Sequence, residues 1–143
     1  MKEELKGPEV EGVSVAVVQE LGDDNVIVYN VYIINEKEEE LEQVLVTSKG
    51  YATLKKGTSQ VGETEQKVET TTLRKLLGSI EAKSAKKVEP IMEDVLTLNN
   101  EYWVSFFVGT TMYDKKFIFL SETVKEENFV NIPILNKKGV LVG

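Results

Sequence analysis

The stretch from Glu101 to Leu120, EYWVSFFVGTTMYDKKFIFL, constrains the fold of this chain more than any other. It is the longest nearly uninterrupted aromatic and β-branched passage, it holds the sole tryptophan, and Gly-Thr-Thr breaks it in the middle. Side chains alternate along a strand, so Tyr102, Val104, Phe106 and Val108 share one face while Trp103, Ser105, Phe107 and Gly109 share the other. Both sets are largely apolar, which predicts a central strand covered on both sides. The second arm, Met112 to Leu120, begins with Asp114, Lys115 and Lys116 and ends with Phe117 to Leu120, so a wet start and a buried end are expected. Gly109 stands where the chain must reverse, and glycine tolerates the positive φ of tight hairpin turns.

The rest of the chain reads as short strands between turn signals. Val13 to Val18 and Val26 to Asn35 are β-branched and flank Glu20-Leu-Gly-Asp-Asp-Asn25, which predicts an antiparallel hairpin. The acidic run Glu36 to Glu42 is expected to be exposed, with Leu41 as its anchor into a third strand from Gln43 to Lys49. That strand continues from Tyr51 to Lys55 past a bulge or bend at Gly50. Gly57 to Gln66 reads as a polar, mobile loop, and Val68 to Leu73, with its three threonines, as a strand. Leu73, Leu76 and Leu77 have helical spacing, and Gly78 is placed to end one short helical turn. Ile80 to Ile91 is assigned to an edge because of Pro90, and Glu93 to Asn100 and Ser121 to Asn128 are connections. Phe129 to Leu135 is a late strand, with a turn at Asn136 to Gly139 leading into Val140 to Val142.

The sum is an all-β chain, an antiparallel immunoglobulin-like β-sandwich of seven to nine strands with at most one short helical turn, a barrel being the alternative. Residues 1–11, charged and bearing Gly7 and Pro8, are expected to form a loose arm, and residues 12–143 a single domain.

Composition excludes more chemistry than it offers. Without histidine or cysteine the chain lacks the commonest acid-base residue, the thiolate nucleophile and the usual zinc ligands. No glycine-rich phosphate loop opens a helix, so no cofactor or metal is expected. The formal charge of −7 opposes nucleic-acid binding, although lysine pairs recur at 55–56, 86–87, 115–116 and 137–138, read here as solvated edges. No apolar run is long enough to span a bilayer and no secretory signal is visible, so no membrane partner and a cytoplasmic location are expected.

What remains is limited. Glu93, Asp94 and Asp114 are the available carboxylates for hydrolysis, which would need a pair about 5 to 9 Å apart across a cleft. Asp23-Asp24-Asn25 lacks the spacing of a calcium loop and reads as a turn. Tyr102, Trp103, Phe107 and Tyr113 form a candidate interaction surface, since tyrosine and tryptophan join apolar area to a polar handle; the competing reading is that the aromatic residues fill the core.

The passages VLVTSKGY (44–51), LNNEYWVSFFVG (98–109), YDKKFIFL (113–120) and NIPILNKKGV (131–140) resemble a small uncharacterised bacterial family sometimes labelled as the α subunit of phenylalanyl-tRNA synthetase. The resemblance covers most of the chain and implies no site residues. The label conflicts with the residues: a class II synthetase core needs motif arginines for ATP and the adenylate, and Arg74 is the only arginine here. The expectation is therefore a non-catalytic module acting by protein–protein contact, with itself as a homodimer or with another protein. A carbohydrate-binding module or carboxylate-dependent hydrolase is the alternative, favoured if Trp103 is exposed beside clustered carboxylates.

Overall fold

The computed structural model describes residues 7–59 and 62–143, and the side chains of 53–67 lie outside the description. Among the described residues ten strands are formed: β1 (Val13–Leu21), β2 (Ile27–Asn35), β3 (Leu41–Ser59), β4 (Gly62–Glu69), β5 (Leu73–Ile80), β6 (Ser84–Ile91), β7 (Asn99–Val108), β8 (Thr111–Phe119), β9 (Val130–Ile132) and β10 (Lys137–Val142). Three 3-10 turns, at Asp23–Asn25, Glu93–Thr97 and Glu126–Asn128, are the only helical elements among the described residues.

The strands make two antiparallel sheets packed face to face. One has the order β6-β2-β1-β10-β9; the other has β4-β3-β7-β8, with β5 also paired to β3. With β1, β2, β3, β6, β7 and β8 in the places of strands A, B, C, E, F and G, the A-B-E and C-F-G pairings are those of an immunoglobulin-type sandwich. The departures are β5, which pairs with β3 on the second sheet, and the added β9-β10 hairpin beside β1.

Alternation explains the core. Val13, Val15 and Val17 of β1 and Val31 and Ile33 of β2 face Val44 and Val46 of β3, Tyr102, Val104 and Phe106 of β7, and Phe117 and Phe119 of β8, in one buried cluster. Tyr102 meets Phe119 edge to face at 6.1 Å, and Phe106 stacks on Tyr113 at 5.4 Å. Leu41 is fully buried at the head of β3, anchoring the exposed acidic run as its sequence predicts. A smaller cluster of Ala16, Val18, Ile34 and Ile132 lies on the outer side of the first sheet.

The central hairpin forms where expected, Val108 pairing with Thr111 around Gly109 at φ +60°. Its two faces differ, however. Tyr102, Val104 and Phe106 are buried, whereas Trp103 is 43% exposed and Phe107 half-buried, so the strand is covered on one side only. Leu120, expected inside, is exposed beyond the end of β8.

Other local expectations are corrected by pairing. The irregularity in β3 falls at Gln43, with φ +50°, rather than at Gly50, whose pairing with Asn100 continues the β3–β7 register. Residues 73–77 are strand and not helix: a bulge in β5 turns Leu76 outward and Leu77 inward, and Gly78 carries φ +78°. The threonine run separates β4 from β5, and the expected loop at 57–66 is strand up to Ser59 and again from Gly62. The last turn is at Pro133–Asn136, closed by Asn136 N–H donating to the Ile132 carbonyl, three residues earlier than expected. Gly139 lies inside β10, where a Cβ would stand 2.2 Å from the Val17 carbonyl oxygen.

Candidate functional site

Register places the outer face of the second sheet in rows. Arg74, Thr47, Trp103 and Lys116 sit side by side across β5, β3, β7 and β8. The neighbouring row runs Leu76, Leu45, Ser105, Asp114, and Phe107 and Met112 pair in the row beyond. All of these residues except Leu76, Lys116 and Phe107 border a shallow groove of about 400 Å³ with Trp103 in its wall. Leu76 and Met112 are 71% and 51% exposed, which adds apolar surface around the indole.

The charges on this face are unequally committed. Lys116 lies 5.1 Å from the Trp103 ring centre and 3.6 Å from the Glu101 carboxylate, which fixes the indole from one side. Lys49 rests against the Tyr51 ring at 5.8 Å. Arg74 makes no ion pair among the described residues, and its planar fork of donors stands on the other flank of Trp103, beyond Thr47.

Of the four aromatic residues singled out in the sequence, this face holds Trp103 and Phe107. Tyr102 is 2% exposed and belongs to the core, so it is no part of a surface. Tyr113 lies half-buried on the inner side, stacked on Phe106. Sequence reasoning missed Arg74 and Leu76 because their place on this face depends on the pairing of β5 with β3 and on the bulge at Leu77; Met112, also missed, is brought there by its pairing with Phe107.

The carboxylates do not assemble. Asp114 pairs with Ser105, and Glu101 lies four residues away along β7. At about 3.3 Å per residue that is roughly 13 Å along the strand, beyond the spacing of a glycosidic pair. Glu93 and Asp94 sit on the 3-10 turn before β7, at the opposite end of that strand from its Asp114 pairing. Asp23–Asn25 form a tight turn in which Asp24 and Asn25 have positive φ. No group of three or more acidic side chains is close enough to hold a metal among the described residues.

A second recess opens between the sheets. Its volume is about 270 Å³, and Ser48, Gly50, Glu89, Asn100 and Tyr102 line it together with Leu73, Ile91, Met92 and Val95. A bulge in β6 creates it: Glu89 pairs with Val31 and Lys87 with Tyr32, leaving Val88 extra. Val88 and Glu89 therefore both turn inward, and the Tyr102 hydroxyl donates to Glu89 Oε2 at 3.1 Å. Burial, then the Glu89 charge and this hydrogen bond, raise the Tyr102 hydroxyl far above the ordinary tyrosine range and keep it protonated.

On the outer side of the first sheet, Glu20 gathers Asn30 Nδ2 at 2.8 Å, the Tyr32 hydroxyl at 2.7 Å and the Lys137 ammonium. Burial alone would raise the Glu20 pKa, but the bonds from Lys137, Tyr32 and Asn30 bring it below its ordinary value. Burial and then Glu20 push Tyr32 up to about 12.

Several members of the lysine pairs are individually engaged. Lys86 donates to the Leu77 and Ser79 carbonyls, Lys115 lies 5.1 Å from the Phe117 ring centre, and Lys116 and Lys137 have the partners given above. Lys55–Lys56 lies outside the described side chains. No helix among the described residues is long and apolar enough to cross a membrane. No protein-family model, curated protein or solved structure matches this chain.

Proposed function

We propose that this protein is a non-catalytic binding module that works by protein–protein contact through the outer face of the β5-β3-β7-β8 sheet. The observation that carries the reading is Trp103, 43% exposed in the wall of the groove, with Arg74 beyond Thr47 in the same row forming no ion pair among the described residues. Tryptophan, methionine and arginine are the residues in which interface centres are enriched. The separation of Glu101 from Asp114 speaks against a hydrolase.

Face-to-face pairing of two copies about a two-fold axis along or across the strands sets Arg74 against Lys116, or each against itself, so like charges meet. That geometry favours a different protein, one presenting an apolar anchor edged with acidic residues. A saccharide stacked on the indole is the second reading, favoured by the same exposed ring beside Asp114 and Arg74.

Light scattering over a dilution series, read with iodide quenching of Trp103, is the first test. A strict monomer with a readily quenched indole fits the heterologous reading, and a dimer that dissociates on dilution and is abolished by Trp103→Ala makes a second copy the partner. Saturable quenching protection by oligosaccharides would replace the protein reading with the saccharide one.

A further inference from the structure

The cleft between β3, β6 and β7 is separate from the face just described, and its polar groups have an unbalanced inventory. Asn100 donates its amide hydrogens to the Val95 carbonyl at 2.9 Å and the Leu98 carbonyl at 3.1 Å, so its Oδ1 faces Gly50 as an acceptor with no donor among the described residues. Glu89 receives the Tyr102 hydroxyl on one oxygen and forms no ion pair among the described residues. Ser48, 8% exposed, adds a hydroxyl without a partner among the described residues. Of the nearby lysines, Lys75 bonds the Val88 carbonyl, and Lys49, which borders the cleft, holds its ammonium 5.8 Å from the Tyr51 ring centre.

Acceptors thus outnumber donors around one carboxylate, while Leu73, Ile91, Met92 and Val95 supply apolar walls. Gly50 keeps the opening clear, because a Cβ there would come within 3.1 Å of both Asn100 Oδ1 and the Thr70 methyl. One carboxylate among neutral oxygens is too little charge for a hard divalent cation. An ammonium brings three donors and one positive charge, which is what Glu89, Asn100 and Ser48 jointly lack.

We propose that this cleft binds a small primary ammonium carrying a short apolar tail, its nitrogen between Glu89, Asn100 and Ser48 and its tail against Ile91, Val95 and the Met92 rim. The volume of about 270 Å³ suits such a compact ligand, lying below the range of about 300–1,000 Å³ usual for drug-sized molecules.

The test is amide NMR of the full chain titrated with n-butylammonium chloride, with n-butanol as the uncharged probe. Saturable shifts at Gly50, Asn100 and Tyr102 are expected with the ammonium, and affinity about tenfold weaker for the alcohol and for Glu89→Gln, as loss of a charged hydrogen bond implies. Met92→Lys changes a rim residue that is 73% exposed, leaves the core intact, and should weaken binding by placing a tethered cation at the mouth. Non-saturating shifts, equal affinity for alcohol and ammonium, or unchanged affinity in Glu89→Gln overturns the proposal. Should Glu89→Gln fail to fold, unchanged affinity in Met92→Lys overturns it equally.

Discussion

The Tyr102 hydroxyl donates to Glu89 Oε2 across the gap between the two sheets, 3.1 Å from oxygen to oxygen. It is a direct side-chain hydrogen bond from a core residue of one sheet to the edge strand of the other, and the β6 bulge is what lets Glu89 reach it. Tyr102→Phe keeps the ring and its contact with Phe119 but removes the donor. A loss of about 1.5–2 kcal/mol in urea-unfolding stability is expected, the usual worth of a hydrogen bond to a charged group.

Tyr102 and Tyr32 also set an alkaline limit. Both hydroxyls hold their protons more tightly in the folded chain than at the ordinary value of 10, so the unfolded chain ionises first. The stability they contribute is complete below pH 10 and drains as pH rises, for Tyr32 through about 12. Urea midpoints compared at pH 9 and pH 11 should fall, and the fall should be smaller in Tyr32→Phe.

Glu20 acts in the opposite sense. Its folded pKa lies below its ordinary value of 4.5, so its contribution is present above pH 4.5 and is lost as pH falls through the folded value. Glu20→Gln should cost about 2 kcal/mol at pH 7, from weakened charged hydrogen bonds to Lys137, Tyr32 and Asn30. The difference between variant and parent should shrink in acid, as thermal melts from pH 7 to pH 3 would report.

Gly139 and Gly109 make a contrasting pair. At Gly139 a methyl group would collide with the Val17 carbonyl backbone at 2.2 Å, so Gly139→Ala should cost about 3 kcal/mol by forcing β10 from β1. At Gly109 nothing lies within 4 Å, and only φ +60° opposes a side chain. Gly109→Ala should cost about 1 kcal/mol and Gly109→Asn less, because asparagine tolerates left-handed backbone. Equal losses at the two glycines in thermal unfolding would refute this division.

The architecture was legible in the sequence wherever a strand and its turn lay next to each other. The hairpin around Gly109 and the pairing of Val13–Leu21 with Ile27–Asn35 follow from alternation and local turn chemistry. What escaped was set by distant partners. Leu73, Leu76 and Leu77 carry helical spacing, yet β3 recruits them as a strand, and of the three only Leu77, at the bulge, is buried. Asn136-Lys-Lys-Gly139 resembles a turn, but Gly139 is needed where β10 presses on β1. The site was half legible for the same reason. Trp103 could be named from sequence, but the side on which it lies, and Arg74 two strands away in the same row, depend on which strands meet.

Beyond Tyr51, which pairs with Asn99 at the start of β7, strand β3 has β4 as its sole neighbour among the described residues. Its backbone register there is shared with no third strand, so length at this point is uncoupled from the alignment of the sandwich. Residues added or removed in facing pairs would leave the pairing at Tyr51 and everything before it in place. The ribbon is therefore the natural port for engineering, where a fused domain or an immobilising tag can be carried without repacking the core.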